Sequence, residues 1–278
     1  MKDINLQYKK KLWDVYNRPD FICKPRGLKI TEKINDSWII DMDDPIITTP
    51  ERRLSYSFMF GEAAWMLAGK NDVKSVSKYV DGIKRFSDDG KTFYGAYGPK
   101  LITQWSYVVD TLLKDNDSRQ AVINIWRENP RSSKDIPCTL SLQFFLREAS
   151  DQLWLHTIAT MRSNDAWLGT PYDTFNFSAI SFFIACWLNH YNLNCKLGTL
   201  NIQAGSRHIY ETDFEKLERV FESTYHDKPE VSLNKLISKY KDDPFYFISI
   251  LEEMADLKGK ELRQNGMLSE RLNYLLYG

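Results

Sequence analysis

Apolar and polar residues alternate through residues 26–49, as in Gly27-Leu28-Lys29-Ile30-Thr31-Glu32-Lys33-Ile34 and Ser37-Trp38-Ile39-Ile40-Asp41. That is the period of half-buried strands, and it predicts a hairpin-like opening. The period then lengthens. Pro50 starts a helix through about Ala68 that turns Leu54, Phe58, Ala64, Trp65 and Met66 inward, with Gly69 as its stop. Residues 71–86 read as a second helix, and the Tyr94-Gly95-Ala96-Tyr97-Gly98-Pro99 loop leads into a third over about 101–114. Apolar strands are predicted at about 121–126, 140–147, 151–161 and 199–210, with a buried helix near 175–188 between the last two. Beyond Thr212 the pattern is mainly helical. Without repeats or low-complexity tracts, this order predicts an α+β fold: a mixed twisted sheet with packed helices and a helical C-terminal extension. We expect one domain over residues 1–278, with a core at about 20–212 and the extension at about 213–278.

Composition narrows the function classes. At 278 residues, 43% hydrophobic and 14% aromatic, the chain can bury a sizeable core. Its 37 basic residues cancel its 37 acidic ones, so no sequence-independent attraction for a nucleic acid polymer is expected, although a few placed arginines suffice for a small anion. The cysteines Cys23, Cys138, Cys186 and Cys195 form no Cys-x-x-Cys pair and have no histidines at zinc-ligand spacing, which predicts reduced thiols and no metal. The first residues lack the apolar stretch of a secretory signal, and the strongest apolar run, 179–188, is too short for a bilayer. A cytoplasmic protein without membrane association is expected.

The chemistry concentrates in Pro137-Cys138-Thr139 and in the run Arg162-Ser163-Asn164-Asp165-Ala166-Trp167-Leu168-Gly169-Thr170-Pro171-Tyr172-Asp173. Taken singly, each residue has an ordinary alternative. Cys138 reads as packing, since cysteine is often buried as a small apolar group. Arg162 and Ser163 at a strand end suit a phosphate, or Arg162 is a surface arginine paired with Asp165. Asp173 caps the following helix or reads a ligand. Glu62, between Phe60 and Trp65, is costly in an apolar helix unless it is paired, hydrated or used. His208 and Tyr210, two positions apart on one strand face, suit a sugar hydroxyl, or His208 is structural. Arg119 is equally a solvated turn residue.

Taken in order, these pieces resemble the thymidylate synthase superfamily, whose members add one-carbon units to carbon 5 of pyrimidine nucleotides. The resemblance spans roughly residues 26–210. It rests on Pro25-Arg26-Gly27, Gly61-Glu62-Ala63-Ala64-Trp65, Asp117-Ser118-Arg119, Pro137-Cys138, Gln143, Arg162-Ser163-Asn164-Asp165, Leu168-Gly169-Thr170-Pro171-Tyr172-Asp173 and His208-Ile209-Tyr210. It implies that Cys138 is the nucleophile and Glu62 the residue that polarises water and relays protons. Arg26, Arg162, Ser163 and the partner subunit's Arg119 would hold the phosphate of a nucleoside monophosphate, with Gln143 also at the substrate and His208 and Tyr210 at the sugar. Asp165, Arg52 and Trp65 would meet the cosubstrate, 5,10-methylenetetrahydrofolate, and a site built from two chains implies a homodimer.

Several positions depart from the synthases themselves. Asp173 stands where the dUMP enzymes carry asparagine, and a carboxyl suits the amino group and unprotonated ring nitrogen of cytosine. Thr139 replaces a histidine, and with the Arg-Ser-Asn-Asp wording it looks like the deoxycytidylate and cytidylate hydroxymethylases. In those enzymes water rather than hydride completes the reaction, and Asn164 would help to position that water. Gln120 replaces a second arginine, so one phosphate contact is weakened or supplied by Arg127 or Arg131. The tryptophan-rich folate segment and closing tail are not recognisable, and predicted helices take their place. The expected activity is 5-hydroxymethylation of dCMP or CMP. The alternatives are a divergent synthase methylating dUMP and a nucleotide-binding protein without turnover.

Overall fold

The computed structural model describes residues 3–223, 231–257 and 264–277, the last segment without the side chains of 264–267. In chain order the elements are α1 (Ile4–Asn17), β1 (Phe21–Cys23), β2 (Ile30–Asp41), α2 (Tyr56–Leu67), α3 (Val73–Ser77), α4 (Gly98–Ile102), α5 (Trp105–Lys114) and β3 (Val122–Asn124). Then follow β4 (Thr139–Ala149), β5 (Gln152–Asp165), α6 (Thr170–His190), β6 (Cys195–Tyr210), α7 (Phe214–Glu222), α8 (Ile237–Tyr240), α9 (Pro244–Asp256) and α10 (Gln264–Tyr277). The strands form one six-stranded sheet in the order β1-β2-β6-β5-β4-β3. Only β5 and β6 run parallel, because α6 carries the chain back between them. All other neighbours are antiparallel.

The two faces of the sheet differ. Leu142, Phe144 and Leu146 of β4, Leu155 and Ala159 of β5, and Leu200 and Ile202 of β6 are fully buried under the helices. On the alternate positions Phe145, Trp154 and Ile158 stay half-buried, and Ile39 of β2 is 54% exposed. Helix α6 is buried at nearly every position, so it has no polar stripe and forms the centre of the molecule.

The structure revises several element boundaries. Pro50–Arg52 is a 3₁₀ turn ending at Arg53 in the left-handed region (φ 46°), and α2 starts afresh after Ser55, whose hydroxyl accepts from the Phe58 amide. The helix expected over 71–86 is instead the short α3, capped by Asp72, followed by a 3₁₀ turn at Asp81–Phe86. The helix expected over 101–114 is split into α4 and α5. Of the opening alternation, 30–41 is one long strand paired with the short β1 and with β6.

The alternation alone does not reveal α1. Its buried residues Ile4, Tyr8, Leu12 and Val15 do follow the helical period, behind the polar run Lys9-Lys10-Lys11, and Asp3 accepts from the Asn5 and Leu6 amides to cap it. After Thr212 the described residues are mainly helical, and α9 packs along α2. Residues 224–230 and 258–263 of the expected extension lie outside the described residues.

Candidate active site

Cys138 stands immediately before β4, opposite the end of β5. The Arg162 amide donates to the Cys138 carbonyl (2.8 Å), and the guanidinium donates to the carbonyls of Pro137 and Ile136 (3.0 Å each). Its Nη2 lies 3.8 Å from Cys138 Sγ. Arg162 therefore braces the loop that carries the thiol and also supplies the nearest positive charge. Burial pushes the thiol pKa up and Arg162 opposes it, while Asp173, Asp135 and Asp165 add to the rise. A second group reaches this loop from the other side: the buried Tyr97 hydroxyl bonds both the amide (3.2 Å) and the hydroxyl (2.9 Å) of Thr139.

The turn between β5 and α6 sets the next group of residues. Asp165 Oδ1 accepts from the amides of Trp167 and Leu168, at 2.9 and 2.8 Å, which folds the chain back and starts α6. Asp173 follows in the first turn of that helix. Gly169 lets the carboxyl approach, since a Cβ there would lie 3.2 Å from Asp173 Oδ2. Asn164 Nδ2 donates to that same oxygen at 2.8 Å. One helical turn beyond Asp173, Asn176 Nδ2 donates to Glu62 Oε2 of α2 (2.7 Å). Gly61 leaves room beside Glu62 for the Tyr79 ring, which a Cβ would strike at 2.2 Å.

Two half-buried carboxyls thus have few partners. Burial pushes Glu62 up to about 7, partly countered by Asn176. Burial, then the charge of Glu62, pushes Asp173 up to about 8, against the pull of Arg207. Both groups hold their protons near neutrality, where the unfolded chain has released them. Stability should therefore fall as pH rises from about 4 through 8, with the full penalty present above that window. For Glu62, a rise from 4.5 to about 7 corresponds to roughly 3 kcal/mol. Thermal unfolding at pH 5, 7 and 9 should show this slope, and Glu62→Gln should flatten it. An unchanged slope in that variant would place the proton elsewhere.

The residues expected at the sugar lie at the end of β6, beside the β5–α6 turn. His208 is buried beside Asp165 in the β5–β6 register and meets Tyr210 edge-on at 5.2 Å. Burial lowers its pKa while Asp165 raises it. Tyr210 accepts from Arg26 Nη2 at 3.2 Å, and Arg26 itself sits in the left-handed region (φ 54°). His208 Nδ1 and Asn176 Oδ1 are buried polar atoms with no protein partner, so each awaits a ligand group or a water. Ser163 is half-buried beside Arg162.

Other expected residues are engaged elsewhere. Arg52 donates to the carbonyls of Trp167 (2.6 Å) and Leu168 (3.2 Å) and lies over the Trp167 ring, so it clamps the β5–α6 turn. Trp65 is buried against Phe93 and donates to the Asp72 carbonyl. Arg127 and Arg131 both lie over the Tyr94 ring, and Arg127 also donates to the Tyr94 carbonyl. Arg119 is exposed after α5, and its carbonyl accepts from Gln143 Nε2. Asn164 is 1% exposed with both ends of its amide bonded inside the protein, which leaves it nothing with which to hold a reacting water. It holds Asp173 instead.

Three residues here escape a sequence reading. Asn176 left a signal, as an amide inside the apolar run Thr174-Phe175-Asn176-Phe177. Tyr97, in the glycine-rich loop, left a weaker one. Arg207 left none: it is 0% exposed, donates through Nε to Asp36, through Nη1 to Asn164 Oδ1, and through Nη2 to the Ile202 carbonyl at 3.0 Å. Asp36 also accepts from Lys11 (2.8 Å). Asp36→Ala would strand the guanidinium in the interior, and the expected loss is about 3–5 kcal/mol in urea unfolding. A loss below about 1 kcal/mol would mean that Arg207 has another counter-charge.

The family model of thymidylate synthase matches residues 7–252. The chain belongs to the thymidylate synthase family. Its match to a solved structure of thermostable thymidylate synthase A from Bacillus subtilis has a TM-score of 0.68 at 19% identity, over 82% of this chain and 87% of that one, and shows the shared family fold. Among relatives, a deoxyuridylate hydroxymethyltransferase of Pseudomonas phage M6 is 34% identical over 144 residues, covering 49% of this chain and 40% of the relative. A deoxyuridylate hydroxymethyltransferase of Bacillus phage SP01 is 30% identical over 230 residues, covering 72% of this chain and 57% of the relative. The chain thus spans about half the length of these two hydroxymethyltransferases. No helix among the described residues is long and apolar enough to cross a membrane.

Proposed function

We propose that this thymidylate synthase family member is a cytoplasmic pyrimidine nucleotide 5-hydroxymethyltransferase acting on dCMP or CMP. The observation that carries the choice of base is the Asn164–Asp173 contact. Asn164 holds Asp173 Oδ2 as an acceptor, and burial keeps the carboxyl neutral near pH 7, so its proton resides on Oδ1. A donor and an acceptor then stand side by side, the complement of the ring nitrogen and amino group of cytosine.

In this reading Cys138 Sγ adds to carbon 6 of the base, with Arg162 stabilising the thiolate. Electron density moves toward the edge held by Asp173, and carbon 5 becomes the nucleophile. 5,10-Methylenetetrahydrofolate supplies a one-carbon unit at the oxidation level of formaldehyde. Asp165, with Oδ1 committed to backbone amides, keeps Oδ2 as an acceptor for a donor-bearing heterocycle. Glu62 takes the carbon 5 proton as the carbon–nitrogen bond to tetrahydrofolate breaks, which leaves an exocyclic methylene, and it orients the water that adds there to give the hydroxymethyl group, work suited to a carboxyl raised to about 7. Expulsion of Cys138 restores the ring. Arg26, Arg162 and Ser163 take the phosphate, while His208 and Tyr210 take the sugar.

The half-exposed apolar sheet face, with Ile39, Phe145, Trp154 and Ile158, supports a homodimer in which the partner subunit's Arg119 completes the phosphate site. Gel filtration should then return twice the chain mass.

The names of the two phage relatives favour a second reading, hydroxymethylation of dUMP, since a neutral carboxyl with the opposite proton placement complements uracil. Incubation with CMP, dCMP and dUMP plus methylenetetrahydrofolate, followed by mass analysis, decides between them. One formaldehyde unit on a cytosine nucleotide is expected. The same mass on dUMP moves the assignment to uracil. A methyl group with dihydrofolate indicates a synthase, and tight binding without product indicates a binding protein.

A further inference from the structure

Asp173 offers two oxygens to a base, and when neutral it has one proton to place between them. The placement is not left to the ligand. A guanidinium carries only donors, so the atom of the Asn164 amide that faces Arg207 Nη1 is its oxygen, and the Thr170 hydroxyl donates to the same atom at 2.6 Å. The Asn164 nitrogen is thereby turned to Asp173, where it donates to Oδ2. Arg207 is itself fixed from the far side by Asp36 of β2, which Lys11 of α1 holds in turn. The line of contacts runs from the N-terminal helix through the sheet to the first turn of α6.

We propose that Arg207 is a specificity-determining positioning residue, which acts through Asn164 to fix which oxygen of Asp173 donates to the base and so which pyrimidine is accepted. This rests on the proposed function in one respect, that Asp173 meets the edge formed by ring position 3 and the substituent at position 4. A donor facing position 3 beside an acceptor facing position 4 selects cytosine, and the reverse order selects uracil. A site built to hydrogen-bond one pattern leaves buried groups unpaired with the other.

Asn164→Asp tests this directly. The carboxylate introduced there keeps its partner Arg207 but presents an acceptor to Asp173 Oδ2, which draws the single proton onto Oδ2 and toward residue 164, so the base meets two acceptors: cytosine loses the donor to its ring nitrogen, and uracil gains an acceptor for its ring N–H. Dissociation constants for CMP, dCMP and dUMP, measured by calorimetry without folate, should show the cytosine-to-uracil ratio moving by at least about tenfold toward uracil. Gain of dUMP affinity is an outcome that mere loosening of the core would not produce. Arg207→Lys, which keeps a charge beside Asp36 but loses the planar fork, should narrow the ratio several-fold. If that variant does not fold, Asn164→Asp carries the test alone.

A folded Asn164→Asp protein with the wild-type ratio overturns the proposal. Wild-type preference for dUMP would instead overturn the choice of cytosine. In that case the positioning role still requires Asn164→Asp to shift the ratio, now toward cytosine.

Discussion

Cys138→Ala should abolish turnover, with a loss of at least about 10⁴-fold, while the protein still folds and still binds nucleotide. The loop that carries Cys138 is braced by Arg162 through the carbonyls of Pro137 and Ile136. Those bonds do not involve the side chain at 138. The expected loss is therefore chemical, and thermal unfolding should change little. Mass spectrometry of wild-type protein trapped with a 5-fluorinated pyrimidine nucleotide and the folate should show an adduct that the variant lacks. Residual turnover within about tenfold of wild type would remove Cys138 from the chemistry.

Glu62→Gln should lower kcat by about 10²–10⁴-fold with a smaller change in nucleotide affinity. The amide keeps the size of the side chain and a bond to Asn176, but it cannot take up or release a proton. Wild-type kcat should depend on an ionisation near 7, where burial has placed Glu62. The residual activity of the variant should lose that dependence. A variant that keeps both the rate and the pH profile would assign proton transfer to another group, of which Asp173 is the nearest in kind.

Much of the fold was legible because it is local. Alternation marked β2, β4, β5 and β6, and a continuous apolar run marked α6. Boundaries failed where a single local feature overrode the period: Arg53 in the left-handed region delays α2, and the Asp72 cap starts a helix that ends by Ser77. For the site, the ordered motifs singled out Cys138, Arg162, Asn164 and Asp173 one by one, while the Arg162–Cys138 and Asn164–Asp173 contacts appear only in the fold. The same reading could not tell that Arg52 clamps a turn, that Trp65 packs in the core, or that Asn164 has no group left for water.

The sequence by itself determined the order of the long strands and of the central helix between β5 and β6, the family, and the polar residues stranded in apolar surroundings, of which Glu62 is the plainest. Periodicity reports which face of an element is buried, and a polar residue on that face announces itself. Only the tertiary structure decided which partners those residues meet. Lys11, Asp36, Asn164, Thr170 and Arg207 come from five separate elements, and nothing along the chain shows that they meet. Their roles follow from burial of a guanidinium that has no acceptor of its own, and that constraint exists only after the sheet has assembled.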